Sequence, residues 1–154
     1  MIKFKQRLIE EGDFVEFRRF GNKYVLRLDK GEEIVSALKG FYEEQGIKLG
    51  WIKGIGAVNK VRIGLFKSDV KEYSSKELSG YYEITSLSGN ISAMNGKPYL
   101  HLHINVGDAE FKAYGGHLDY AVVSATAEIE IELIDGVVHR KFSEEIGLNL
   151  YEFI

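Results

Sequence analysis

The chain has 154 residues, of which 45% are hydrophobic and 28% charged, and these fractions are typical of one globular domain, expected here to span residues 1–154. The absence of cysteine excludes disulfides and thiolate metal sites, and no segment resembles a signal peptide or a membrane span, so we expect a cytoplasmic protein with no membrane partner. The formal net charge of −3 argues against strong binding to duplex DNA, which usually requires a clear basic surface.

The N-terminal part of the chain predicts a β-hairpin followed by a helix. Gly21-Asn22 separates two segments rich in aromatic and β-branched residues, which is a hairpin pattern. Asp29 and Glu32 then have the spacing of a capping box, and Gly46 is typical of a helix end. The helical face predicted between them consists of Ile34, Leu38, Phe41 and Gln45.

The rest of the chain predicts mainly strands. W-I-K-G-I-G-A-V and V-R-I-G-L-F are two of them, and further strands are expected near residues 69–77 and 80–90. Asn95-Gly96 and Asp135-Gly136 predict two more hairpin turns. A second, shorter helix is expected near Leu118–Val122, because L-D-Y-A-V-V lacks a period of two. The whole pattern predicts an α+β domain with a mostly antiparallel β-sheet.

Three of the four histidines lie in one short segment, H-L-H-I-N-V-G-D-A-E-F-K-A-Y-G-G-H, as His101, His103 and His117. Alternation along a strand places His101 and His103 on the same face, and Gly115-Gly116 would let the chain return to bring His117 to them. Three imidazoles without a fourth protein ligand are typical of an open zinc site. The alternative is that these are half-exposed strand histidines that form hydrogen bonds with neighbouring groups. The fourth histidine, His139, lies too far along the chain for its spacing to assign it.

A catalytic zinc site would also need a carboxylate to orient an imidazole or to move a proton. Asp108, Asp119 and Glu128 are the candidates, because they lie near the histidines in sequence. For Glu128 the alternative is a solvent-facing charge, since it belongs to the acidic face of an alternating strand.

Several ordered motifs resemble the plant-and-prokaryote-conserved (PPC) domain family: G-Y-Y-E-I-T-S-L-S-G-N-I, K-P-Y-L-H-L-H-I-N-V-G-D, Y-G-G-H-L and A-V-V-S-A-T-A-E-I. The resemblance is densest over Gly80–Ile129. It implies an antiparallel sheet flanked by helices, a homotrimer, and a metal, usually zinc, at His101, His103 and His117. In plants this domain follows an AT-hook in nuclear DNA-binding proteins, whereas in bacteria and archaea it stands alone and is often described as DNA-binding.

This chain departs from the plant proteins in two respects. It contains no R-G-R-P sequence, the mark of an AT-hook, and Tyr81 stands where the plant segment for partner proteins usually has arginine. DNA binding would then depend on basic residues near the N-terminus, which a trimer would present three times. The candidates for phosphate contacts are Arg18, Arg19, Lys23 and Arg27.

The function we expect first is a trimeric binding or regulatory module that carries a three-histidine zinc site and can take a small-molecule ligand. The second is a zinc-dependent hydrolase or lyase that acts on a small molecule through a zinc-bound water, with Asp108 or Glu128 transferring protons. DNA binding comes third.

Overall fold

The computed structural model describes residues 15–154. Within that range the chain forms strands β1 Glu16–Phe20 and β2 Lys23–Asp29, helix α1 Ile34–Glu44, and strands β3 Gly50–Lys67, β4 Glu72–Met94, β5 Lys97–Gly107, β6 Ala113–Leu133, β7 His139–Ser143 and β8 Leu148–Glu152. One mostly antiparallel sheet contains all the strands. The predicted α+β class is therefore confirmed, with α1 as the helix of the described residues.

The first hairpin forms where the sequence predicts it. Phe20 pairs with Lys23, which leaves Gly21 and Asn22 as the two turn residues, and Gly21 has a φ of +59°. A positive φ at the first turn position is what a type II′ turn requires, and glycine adopts it without strain. Along β2, every second side chain is buried and the strand pairs with β6.

The predicted N-cap of α1 is wrong by one turn. The Glu32 carboxylate does accept the Asp29 N–H, but this contact closes a turn before the helix. The N-cap is Glu33, whose carboxylate accepts the N–H groups of Val35 and Ser36 at 3.0 and 2.8 Å. The same carboxylate accepts the β6 N–H of residue 121 at 2.9 Å, so a glutamate takes this position because it joins the helix to the sheet.

The predicted end and apolar face of α1 are confirmed. Gly46 follows the C-cap with a φ of +64°, and the N–H of Ile47 donates to the carbonyl of Tyr42 over 2.9 Å, as in a Schellman motif. The buried residues of the helix pack on the sheet and are Ile34, Ala37, Leu38, Phe41 and Tyr42. No helix among residues 15–154 is long and apolar enough to cross a membrane.

Four long strands form a closed circuit of neighbours, in which β3 pairs with β4, β4 with β5, β5 with β6, and β6 with β3. The two separate strands expected near residues 69–77 and 80–90 are one continuous strand, β4. The two glycine-broken strands before it are likewise one strand, β3. Gly56 permits the close approach of β3 to β6, because a Cβ there would lie 2.3 Å from the backbone oxygen of Thr126.

The helix expected near Leu118–Val122 is wrong, since this segment belongs to β6. Its pairing with β3 shifts register between Arg62 and Ile63, and this irregularity breaks the strict alternation that identifies a strand in sequence.

The hairpin expected at Asp135-Gly136 is also wrong. The end of β6 already has β2 on one side and β3 on the other, so β7 has no free edge of β6 to pair with. It instead joins β4 in a parallel bridge between Ala93 and His139.

Candidate metal centre

The three clustered histidines lie on the neighbouring strands β5 and β6. His103 is directly paired with His117, and His101 lies on the same face of β5, two residues before His103. The Nε2 atoms of His101 and His103 are 3.3 Å apart, and one nitrogen from each of the three rings lies within 4.8 Å of the others. The structure thus brings the three predicted side chains together.

Alternation along β5 explains why these imidazoles are available. Leu102, Ile104 and Val106 are buried in the core, as predicted, so the opposite face of the strand carries the histidines. His101 and His117 are half-buried, whereas His103 is exposed. The cluster is therefore open to solvent on the side of His103.

Burial favours neutral imidazoles at His101 and His117. Burial lowers the pKa of His101 to about 4, with smaller contributions from the nearby charges of His117, Arg140 and His103. Burial and the charge of His103 also lower the pKa of His117, although Asp119 opposes this shift. A neutral imidazole is the form that binds a metal ion, so these two side chains need lose no proton at neutral pH.

The chain returns from β5 to β6 at residues 108–112, whereas the sequence predicts the return at Gly115-Gly116. Asp108 stabilises this turn by accepting the N–H groups of Glu110 and Lys112 at 3.0 and 2.9 Å. The two glycines lie inside β6, where they permit close approach. A Cβ at Gly116 would lie 2.5 Å from the backbone oxygen of Gly64.

A tyrosine and a carboxylate lie beside His117. The Tyr73 ring meets the His117 ring edge-on with a centroid distance of 6.2 Å. Its hydroxyl donates to Asp119 Oδ1 over 2.6 Å, and Arg62 Nε lies 3.5 Å from Asp119 Oδ2. Burial and this hydrogen bond raise the pKa of Tyr73 to about 12, so the phenol stays protonated at neutral pH. Of the three predicted carboxylates, Asp119 is the one that these contacts place next to the cluster.

The other two carboxylates lie elsewhere. Asp108 is five residues beyond His103, about 16 Å along an extended strand. Its carboxylate is occupied by the turn and by the Tyr114 hydroxyl, and the hydrogen bond from the Lys112 backbone lowers its pKa. Glu128 lies in the far half of β6 from His117, exposed and opposite Ile55 of β3.

The predicted phosphate-binding residues lie on the β1–β2 hairpin, and three of them already have partners. Lys23 lies 2.8 Å from a carboxylate oxygen of Glu130. Arg27 pairs with Glu16 at 2.5 Å and with Asp29 at 2.9 Å. The partners of Arg19 are the carbonyl of Gly21 and the ring of Tyr24, whereas Arg18 is exposed and makes no ion pair within the described part of the chain.

Two residues near the cluster could not be identified from the sequence. Tyr73 reaches His117 from β4, and Arg140 of β7 lies close enough to His101 to lower its pKa. Neither has a sequence signal, because each depends on pairing between distant parts of the chain. The fourth histidine, His139, lies outside the cluster, on β7.

Residues 15–135 match the Plants and Prokaryotes Conserved (PCC) domain. Among solved structures, the fold is similar to that of a protein from Bacteroides thetaiotaomicron for which DNA binding has been suggested, with 38% identity, a TM-score of 0.88, and coverage of 90% of this chain and 97% of that chain. It is also similar to a metal-containing protein from Archaeoglobus fulgidus, with 39% identity, a TM-score of 0.79, and coverage of 92% and 100%.

A match to a curated protein covers only part of that protein. The bifunctional protein GlmU of Synechococcus sp. (strain JA-3-3Ab) is 30% identical over 118 residues, which are 76% of this chain and 18% of GlmU. The chain thus spans less than a fifth of the length of this relative.

Proposed function

The chain belongs to the Plants and Prokaryotes Conserved domain family, and from that premise we propose that it is a binding module whose three clustered histidines hold one zinc ion. The observation that carries this proposal is the 3.3 Å separation between the Nε2 atoms of His101 and His103. Two nitrogens bound at 2.0–2.1 Å in a tetrahedral arrangement lie about 3.3 Å apart. These two imidazoles thus already have the spacing of zinc ligands.

The donor set supports zinc over other divalent ions. Imidazole suits zinc, copper, iron and nickel, whereas magnesium and calcium prefer oxygen ligands. Three protein ligands leave a fourth position for a small ligand or water, which is typical of zinc sites that do more than stabilise the fold. The metal-containing relative from Archaeoglobus fulgidus is consistent with this assignment.

The other residues of the site have roles that follow from their contacts. Asp119, between Tyr73 and Arg62, places negative charge beside His117 and thereby favours a bound cation. Because Tyr73 keeps its proton, it fixes the orientation of that carboxylate. The exposed His103 marks the side on which a small molecule would enter.

A second candidate is a zinc-dependent hydrolase or lyase on a small molecule. Zinc in such a site acts as a Lewis acid. The observation that favours this candidate is the Tyr73–Asp119 hydrogen bond beside His117. It would supply an oriented carboxylate that accepts a proton from the substrate in a lyase or from water in a hydrolase. The Tyr73→Phe variant should then lose turnover while keeping zinc. Unchanged turnover in that variant, or no turnover by wild type across hydrolase and lyase substrates, contradicts this candidate.

We also propose that the chain acts in the cytoplasm as a homotrimer. Phe111 and Tyr81 are 95% and 89% exposed. Single exposed apolar side chains also occur on monomers, so the trimer rests on the family resemblance of the sequence, and the mass of the assembly in solution tests it. Sedimentation equilibrium should give a mass three times that of the chain, and a monomer at micromolar concentration contradicts the trimer.

Element analysis of the purified protein tests the metal site. We expect about one zinc per chain in wild type and in His139→Ala, the matched control outside the cluster. In His103→Ala the zinc content should fall close to zero. Equal zinc content in the two variants, or no metal in wild type, would contradict the proposal that the three histidines bind zinc.

A further inference from the structure

The hairpin formed by β7 and β8 lies beyond residue 135, where the family match ends. Its backbone joins β4 at one bridge, where the Ala93 N–H donates to the Val138 carbonyl over 2.9 Å. The side chain of Arg140 adds to this attachment and extends it towards the histidines.

Three nitrogens of Arg140 each donate a hydrogen bond. Nε donates to Ser92 Oγ over 2.7 Å, Nη2 to Asn90 Oδ1 over 2.9 Å, and Nη1 to the carbonyl of Asn149 over 2.8 Å. The guanidinium also lies over two aromatic rings, 4.8 Å from the centroid of Tyr99 and 4.4 Å from that of Tyr151. Its position is therefore fixed by groups on β8, β4 and β5.

The strand register places this guanidinium beside the metal centre. Asn90 is directly opposite His101 across β4 and β5, and residues paired in this way project from the same face with Cβ atoms about 4.5–5.5 Å apart. Tyr99 lies two residues before His101, so it also shares the face. Two of the groups that contact Arg140, Asn90 and Tyr99, thus adjoin His101 on this face, and the charge of Arg140 is among the causes that lower the His101 pKa.

Neutral groups hold the guanidinium of Arg140. Within residues 15–154 its guanidinium makes no ion pair, and the acceptors on Ser92, Asn90 and Asn149 are all neutral. Arginine has five N–H donors, so three hydrogen bonds leave one on each terminal nitrogen. A half-buried guanidinium held by neutral groups, with donors still available, is suited to bind an anion.

We propose that Arg140 and the histidine-bound metal together form a binding site for a small carboxylate anion. The guanidinium would bind the carboxylate, and the metal would bind another oxygen atom of the same molecule. The inference rests on the proposed metal site. One guanidinium balances one carboxylate charge, and its fork of N–H groups matches the two oxygens. Three neutral imidazoles leave the metal with its full positive charge, so both cations attract the anion towards one face of β5.

The test uses the full chain loaded with Co²⁺, because the visible spectrum of cobalt reports ligands at the metal. Glycolate, which has a carboxylate and a hydroxyl, and glycolamide, its uncharged analogue, are the probes. Wild type should bind glycolate more tightly than glycolamide. Arg140→Gln should weaken glycolate binding about tenfold or more, because hydrogen bonds to a charged group are lost, and leave glycolamide binding unchanged.

Lys141→Gln is the matched control. It removes the same charge from the next residue of the hairpin, where the side chain is exposed and pairs with Glu152 at 3.7 Å. This variant should bind glycolate as wild type does. If Arg140→Gln fails to fold, Arg140→Lys takes its place, since lysine keeps the charge and lacks the fork; its glycolate affinity should also fall.

The outcomes separate the carboxylate site from the metal site. Equal glycolate affinity in wild type and a folded, cobalt-loaded Arg140 variant overturns the carboxylate site and leaves the metal site standing. Binding of inorganic phosphate that depends on Arg140, without binding of glycolate, contradicts the carboxylate class. A wild-type chain that does not bind cobalt overturns both proposals.

Discussion

Replacing His103 with alanine should remove the stabilisation by zinc without destabilising the metal-free protein. The His103 side chain is exposed, and its contact with His101 is between two nitrogens 3.3 Å apart. Surface substitutions of this kind change the free energy of unfolding by about 0.5 kcal/mol or less. Without zinc, the variant should therefore melt within about 2 °C of wild type.

With zinc added, wild type and His103→Ala should differ in melting temperature. At a zinc concentration about 100 times the dissociation constant, a site present only in the folded state stabilises by about 2.7 kcal/mol. For a domain of this size, that corresponds to a rise in melting temperature of about 5–10 °C. Calorimetry with and without zinc should show this rise for wild type and His139→Ala, and almost none for His103→Ala. An equal rise in His103→Ala would refute the assignment of this residue as a ligand.

Three further predictions follow from neighbouring contacts. A Cβ at Gly89 would lie 2.0 Å from the His101 carbonyl oxygen and 2.9 Å from Leu102 Cα, so Gly89→Ala should cost about 1–3 kcal/mol in urea unfolding and weaken zinc binding; unchanged zinc affinity would contradict the role of this close approach. Between about pH 4 and pH 6.5, the unfolded chain binds a proton at His101 and the folded chain does not, because the pKa of His101 is lowered in the folded state. The free energy of unfolding of the metal-free protein should therefore be independent of His101 above about pH 6.5 and fall as the pH is lowered towards 4. His101→Asn should lose that part of the slope, and an unchanged slope would show that another group causes it. The carboxylate partners of Lys23 should keep binding to duplex DNA weak in fluorescence anisotropy at about 0.15 M salt, and tight binding that Lys23→Ala abolishes would contradict this expectation.

The strand that carries His101 and His103 could be predicted because its two faces differ in chemistry. Its apolar residues, such as Leu102 and Ile104, are buried, and the imidazoles share the other face. The turn before it was also predictable, since Asn95 and Gly96 both adopt a positive φ, of 51° and 74°, as a type I′ turn requires.

Predictions from the local sequence pattern were wrong where pairing with a distant strand determines the structure. Asp135-Gly136 has the composition of a hairpin turn, but β2 and β3 already occupy both edges of β6 at that level. The segment Leu118–Val122 lost its alternation to a register shift against β3. For the same reason, Tyr73 and Arg140 could not be assigned to the site, because only the closed circuit of strands and the C-terminal hairpin bring them to it.

Anomalous diffraction at the zinc edge tests the metal site most directly. Crystals of the zinc-loaded protein, measured on both sides of the absorption edge, should show one anomalous peak per chain. The peak should lie about 2.0–2.1 Å from one nitrogen each of His101, His103 and His117. A fully zinc-loaded protein with no peak between these three rings, or with its peak elsewhere on the chain, would contradict the three-histidine zinc site.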